Sequence, residues 1–153
     1  MRPMWRLTLT IFALFICGCA TTYNSPSSNE PNAIVRFQSL EGIDGALGTQ
    51  AVYLIEINGK QPAFLRLNDT TRLAIGENTI VVKGIGKDNS QTYARLTWDV
   101  QPNENYMIKR VVGEDDMSFT VVDSNGKIVA HASGPKRPYS SDSGYIPYIP
   151  VYK

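Results

Sequence analysis

Short runs of apolar residues alternate with clusters of turn-forming residues from position 33 to position 132. In the clearest run, Ala94, Leu96 and Trp98 occupy every second position, which places them on one face of an extended strand. No window keeps the 3.6-residue period of an amphipathic helix. The pattern therefore predicts an all-β fold, a single small β-sandwich of about seven or eight short antiparallel strands. The stretches predicted as strands are 33–38, 51–57, 61–67, 78–85, 91–100, 106–112, 118–122 and 127–132.

Turn residues between these runs indicate where neighbouring strands join. Asn58-Gly59 is the strongest hairpin signal, because both central positions of a type I′ turn need a positive φ. The polar segments 88–90 and 123–126 are predicted turns as well. Glycines interrupt the stretch 39–49, which we interpret as a long loop.

The first 18 residues have the charge and hydropathy pattern of a secretory signal peptide. Arg2 and Arg6 precede an apolar stretch, 7–16, that is shorter than the about 20 residues a permanent membrane helix needs. This stretch leads into Ile16-Cys17-Gly18-Cys19, an aliphatic residue followed by two small residues and a cysteine. The four residues resemble the lipobox of bacterial lipoproteins.

The lipobox resemblance implies that Cys19 is acylated. In that family a diacylglycerol thioether forms on the cysteine, the chain is cut before it (here between Gly18 and Cys19), and the new terminus is acylated too. The acyl chains anchor the protein, since each buried methylene contributes about 0.8 kcal/mol. Ala20 lacks the Asp that retains lipoproteins in the inner membrane, so in a Gram-negative cell the resemblance implies the periplasmic face of the outer membrane. The alternatives are a secreted protein with an incidental cysteine and a signal anchor that is never cut.

Composition divides the chain into four parts. They are the signal peptide 1–18, a tether 19–32, a β-sandwich domain 33–132 and a tail 133–153. The Ser, Thr, Asn and Pro of the tether predict a flexible segment that lets the domain stand clear of the lipid headgroups. Loss of the signal peptide lowers Lys plus Arg from 15 to 13, against 14 Asp plus Glu. This balance argues against nucleic acid as a partner and offers no polybasic patch for anionic lipids.

Three segments resemble the small β-sandwich modules of the PEGA type and their relatives among short bacterial lipoproteins. In Tyr53–Lys60 a strand runs into Asn-Gly-Lys, and in Leu73–Val82 a glycine-bearing turn leads into an Ile-x-Val strand. In Asn105–Lys109 a polar turn and a tyrosine open a later strand. The resemblance covers less than half of the chain. It implies a binding or scaffolding module outside the cytoplasm rather than a catalyst.

Each candidate reactive group has a simpler structural interpretation. His131 is the only histidine, so it has no second histidine with which to share a metal. The segment 124–127 matches Ser-x-x-Lys but spans a predicted turn instead of opening a helix. Glu114-Asp115-Asp116 offers oxygen ligands for calcium, yet three adjacent acids cannot all face one ion, and a solvated loop tip is favoured. The sequence therefore predicts no catalytic residue, no metal site and no cofactor.

The tail contains an apolar motif that the domain pattern does not explain. In the segment 145–152 a three-residue repeat matches the turn of a polyproline II helix. The repeat puts Tyr145 and Tyr148 on one stripe and Tyr152 on another. Such a strip either packs on its own domain or docks into a partner, which makes these three tyrosines the predicted partner-binding residues.

Two functions fit these observations. The first is a membrane-anchored envelope lipoprotein that acts as a non-enzymatic interaction or scaffolding module and contacts another envelope protein or the cell wall. The second is a periplasmic carrier whose sandwich encloses a pocket for a small apolar ligand, lined by Trp98 and other aromatic residues. These aromatic side chains fill an ordinary core equally well. An enzyme is not expected.

Overall fold

Residues 22–39, 51–62 and 70–138 are described by a computed structural model of the chain. These stretches form eleven β-strands and no helix, and eight of the strands have five or more residues. The strands are β1 Thr22–Tyr23, β2 Asn32–Phe37, β3 Val52–Ile57, β4 Gln61–Pro62, β5 Thr70–Ala74, β6 Gly76–Ile85, β7 Ser90–Val100, β8 Asn105–Val112, β9 Asp116–Val122, β10 Ile128–Pro135 and β11 Arg137–Pro138. The all-β prediction is confirmed.

Two main sheets enclose one hydrophobic core and form the predicted β-sandwich. The five-stranded sheet has the order β10-β9-β8-β2-β5, and the four-stranded sheet has the order β11-β7-β6-β3. The prediction of antiparallel strands throughout is wrong at two places, since β2 pairs with β8 and β1 with β4 in parallel. Parallel neighbours need a long connection. The intervening chain provides it, and three of its strands, β3, β6 and β7, belong to the other sheet.

The core follows from strict alternation along the strands. Met117, Phe119 and Val121 are fully buried on β9, and their neighbours on the strand are half-buried. Trp98 of β7 meets Tyr106 of β8 edge to face, with ring centroids 5.6 Å apart. The N–H of the Gln101 backbone donates to the Tyr106 hydroxyl over 3.0 Å. The aromatic pair thus fixes the corner at which the chain passes from one sheet to the other.

The turn at Asn58-Gly59 has the predicted backbone, because its φ angles are 50° and 75°. Of the predicted hairpin of 51–57 with 61–67, the described residues include the bridge from Ile57 to Lys60 and the two-residue β4. Residues 63–67 lie outside the described stretches. Strand β3 pairs with β6, in a register that places Val52 and Ile57 in the core.

The N-terminal segment contacts the domain from Thr22 onward, although its composition predicts a flexible tether up to residue 32. Strand β1 pairs with β4, and the Tyr23 side chain is only 9% exposed. The Tyr23 hydroxyl donates a 3.3 Å hydrogen bond to the Arg72 carbonyl of β5. Burial of this aromatic ring favours an ordered segment despite its polar neighbours. Thr22 and Tyr23, predicted as part of the tether 19–32, therefore contact the domain.

The domain also extends further towards the C-terminus than 132. Strand β10 continues to Pro135 alongside β9, and β11 pairs with β7 at the edge of the other sheet. Residues 133–138, predicted as tail, therefore belong to the sandwich. The predicted loop within 39–49 lies outside the described residues from 40 onward.

Lys136 joins three parts of the chain where β10 of one sheet gives way to β11 of the other. Its ammonium lies 2.7 Å from a carboxylate oxygen of Asp88. It also donates to the carbonyls of Gly113 and Glu114, over 3.3 and 3.0 Å. The pKa of Asp88 lies well below its ordinary value. The largest cause is the hydrogen bond from Lys136, and the second is the hydrogen bond from the Ser90 hydroxyl.

Replacement of Asp88 by asparagine should lower stability most near neutral pH. A carboxyl whose pKa is depressed in the folded state contributes stability that is fully present above the unfolded value of about 3.9 and is lost progressively as the pH falls from there through the folded-state pKa. Urea unfolding of the wild type and Asp88→Asn near pH 7 and near pH 3 measures the difference. Asp115→Asn is the control, because that exposed side chain makes no described hydrogen bond. An Asp88→Asn deficit of equal size at both pH values would contradict the prediction.

Candidate functional site

Most of the residues that the sequence singled out for function lie outside the described stretches. These are Gly18 and Cys19 at the predicted cleavage site, and Tyr145, Tyr148 and Tyr152 in the tail. Their roles stay predictions.

The remaining candidates within the domain occupy structural positions. His131 is exposed on β10. The Ser-x-x-Lys match lies in a turn in which the Asp123 carboxylate accepts from the backbone N–H groups of Asn125 and Lys127, both over 2.9 Å. The acidic run 114–116 lies at the loop between β8 and β9. Within the described stretches, no three metal-ligating side chains come together.

The outward face of the five-stranded sheet carries a feature that the sequence does not reveal. Because Val35 of β2, Leu73 of β5 and Ile108 of β8 point into the core, their strand neighbours point away from it. Three of the outward residues are cationic. They are Arg36 on β2, Arg72 on β5 and Lys109 on β8, and we call this surface the basic face.

Strand register gathers these cations on three adjacent strands, in the order β5, β2, β8. Arg72 lies opposite Ile34, and Arg36 lies opposite Met107, two residues before Lys109 on β8. Adjacent strands are about 4.8 Å apart, so the three strands span roughly 10 Å across the sheet. Lys109 lies opposite Thr120 of β9, and Thr120 in turn lies opposite His131 of β10.

The cations of the basic face have no ion-pair partner among the described residues. Arg36, Arg72 and Lys109 make no ion pair with any residue of the three described stretches. Among the described outward positions on the strands of this sheet, one carries a carboxylate. It is Asp116, at the end of β9 that contacts Gly113. No direct ion pair with a described residue therefore neutralises the three cations.

The outward face of the four-stranded sheet has a different charge pattern. Its outward strand positions carry both signs: Lys83 and Arg95 with Glu56, Glu77 and Asp99. A near-neutral chain thus has one mixed surface and one cationic surface. Because the two faces belong to one domain, the mixed face provides matched positions for control variants.

A shallow groove of about 350 Å³ lies on the basic face, where β2 and β8 run side by side. Arg36, Met107 and Lys109 line it together with the end of β2. Beside it, Val111 is 63% exposed. The combination of cations with the exposed Val111 side chain is suited to binding an amphipathic or anionic surface.

The described residues contain no helix that could cross a membrane. No protein-family model, curated protein or solved structure matches the chain.

Proposed function

We propose that the chain is a membrane-anchored envelope lipoprotein whose β-sandwich acts as a non-enzymatic interaction or scaffolding module. The observation that carries the proposal is the basic face, on which Arg36, Arg72 and Lys109 are gathered without a described ion pair. An unneutralised surface of this kind favours contact with an anionic partner. The lipobox resemblance at Cys19 supports the anchor.

The interior of the sandwich supports a surface interaction over the carrier function. Side chains of both sheets form one buried cluster between them. Trp98, a candidate pocket residue, packs edge to face on Tyr106 within this cluster. These contacts use the aromatic side chains as core, so the carrier remains the second proposal.

The proposed location is the cell envelope, at the periplasmic face of the outer membrane in a Gram-negative cell. The proposed partners are the membrane, through the lipid anchor, and another envelope protein or the cell wall. Tyr145, Tyr148 and Tyr152 are a second proposed contact. Nucleic acid is not a proposed partner, since the mature chain has no basic excess.

Replacement of Cys19 by serine should abolish the incorporation of labelled palmitate and move the protein out of the membrane fraction. Serine has no thiol on which the diacylglycerol thioether can form. Metabolic labelling followed by membrane fractionation measures both effects. Cys17→Ser is the matched control, because the lipobox accepts a small residue there, and it should be labelled like the wild type. Palmitate on the Cys19→Ser chain would overturn the proposed anchor.

A further inference from the structure

The distance between the proposed anchor and the fold is short. Cys19 precedes Thr22, the first residue of β1, by three residues. Three extended residues span at most about 11 Å. The headgroup layer on each side of a bilayer is roughly 5–8 Å thick. An acylated Cys19 therefore keeps β1 at the membrane surface, and the domain does not stand clear of the headgroups as its composition predicts.

The segment that contains β1 contacts one edge of the basic face. Tyr23 donates its hydroxyl hydrogen bond to the carbonyl of Arg72, and Arg72 lies on β5, the edge strand of the five-stranded sheet. From this edge the cations continue inward through Arg36 on β2 to Lys109 on β8. The segment that follows the proposed anchor thus meets the edge of the basic face.

We propose that the basic face lies on the anionic phospholipid headgroups of the membrane that holds Cys19. This inference rests on the proposed anchor and adds the orientation of the domain. Two features carry it: three cations without a described ion pair, and a short link that brings the edge strand of the basic face close to the membrane surface, where the headgroup charge acts over about 8 Å at physiological salt. Exposed Val111 provides apolar contact beside them.

Each basic residue near an anionic bilayer contributes about 1 kcal/mol, which corresponds to roughly fivefold in binding. Arg36, Arg72 and Lys109 together therefore favour the face-down orientation by roughly a hundredfold over an orientation that lifts them away. The corresponding gain for the mixed face is smaller, because its carboxylates oppose its cations.

The experiment uses the full acylated protein in vesicles of phosphatidylcholine, with and without phosphatidylglycerol. Lysine acylation by a water-soluble reagent is quantified for each lysine by peptide mass spectrometry. We expect phosphatidylglycerol to protect Lys109 at least about fivefold. The exposed Lys87, in the turn after β6, should keep its reactivity.

Charge reversal tests whether the face causes the protection. Arg36→Glu/Arg72→Glu should restore the reactivity of Lys109 in phosphatidylglycerol vesicles. Lys87→Glu/Arg95→Glu removes the same charge from the β6–β7 hairpin and should leave the protection of Lys109 unchanged. High salt should weaken the protection in the wild type, since the contact is electrostatic.

Vesicle flotation separates this inference from the proposed anchor. Flotation with both lipids, together with equal reactivity of Lys109 with and without phosphatidylglycerol, would overturn the orientation and leave the anchor. Flotation with phosphatidylglycerol alone would overturn the anchor and support the face as an anionic-lipid surface. Failure to float with either lipid would overturn both.

Discussion

Replacement of Asn78 by aspartate is expected to lower the free energy of unfolding by about 3–5 kcal/mol, the cost of a buried charge without a partner. Asn78 on β6 is 2% exposed. Its amide nitrogen donates to the carbonyls of Ala74 and Gly76, over 2.8 and 2.9 Å. An aspartate would face both carbonyls with an oxygen that cannot donate. The loss is a large part of the roughly 5–15 kcal/mol that stabilises a domain.

The network around Asn78 explains why the effect is large. Asn78 accepts from the side-chain amide of Asn58, over 2.9 Å, and the carbonyl oxygen of that amide accepts from the Thr79 N–H over 2.8 Å. One buried side chain thus connects the corner between β5 and β6 to the turn after β3. Urea unfolding followed by Trp98 fluorescence measures the change. Asn24→Asp, at an exposed position, should have little effect, and a similarly small effect of Asn78→Asp would contradict the prediction.

Replacement of Gly84 by valine should cost about 3 kcal/mol or more, at the upper end of what overpacking a core costs. A Cβ at Gly84 would lie 2.7 Å from the ring atom Cζ of Phe119 and would also collide with the sulfur of Met117. Both side chains are fully buried and cannot move aside without disturbing the core. Gly84 on β6 is therefore required by the close approach of the two sheets.

A double-mutant cycle isolates this contact. Phe119→Leu shortens the side chain that meets position 84. The combination of Gly84→Val with Phe119→Leu should cost less than the sum of the two single variants, as measured by chemical unfolding. Additive costs would show that the glycine is needed for another reason.

The basic face could not be predicted from the near-neutral composition of the chain. Net charge is a sum over the chain, and the sum does not say which residues the fold places together. Arg36, Arg72 and Lys109 are far apart in sequence, and the strand that carries Arg72 lacks a clear alternating pattern in the sequence. The proposal that this face binds anionic lipids therefore rests on the strand order, whereas the sequence predicts no patch for them.

Local order was predicted where the physical cause is local. Alternating apolar residues on β7 bury one face of a strand, and the asparagine–glycine pair after β3 adopts positive φ with little strain. For the same reason the segments 88–90 and 123–126 were predicted as turns, and Asn89 and Gly126 have positive φ there. Strands β1, β5 and β11 were not predicted. Two residues carry no period, so β1 and β11 depend on pairing partners distant in sequence. Strand β5 lacks a clear alternating pattern and pairs with the distant β2.

The amino-acid sequence by itself determined the all-β class, most strand positions and the turns, because alternation and turn chemistry act between neighbours along the chain. The prediction that Cys19 is acylated also comes from the sequence alone. Only the tertiary structure decided that β2 runs parallel to β8, that Tyr23 holds the N-terminal segment on the domain, and that three distant cations share one surface. Those outcomes depend on which strands become neighbours, and long-range packing of the two sheets decides that.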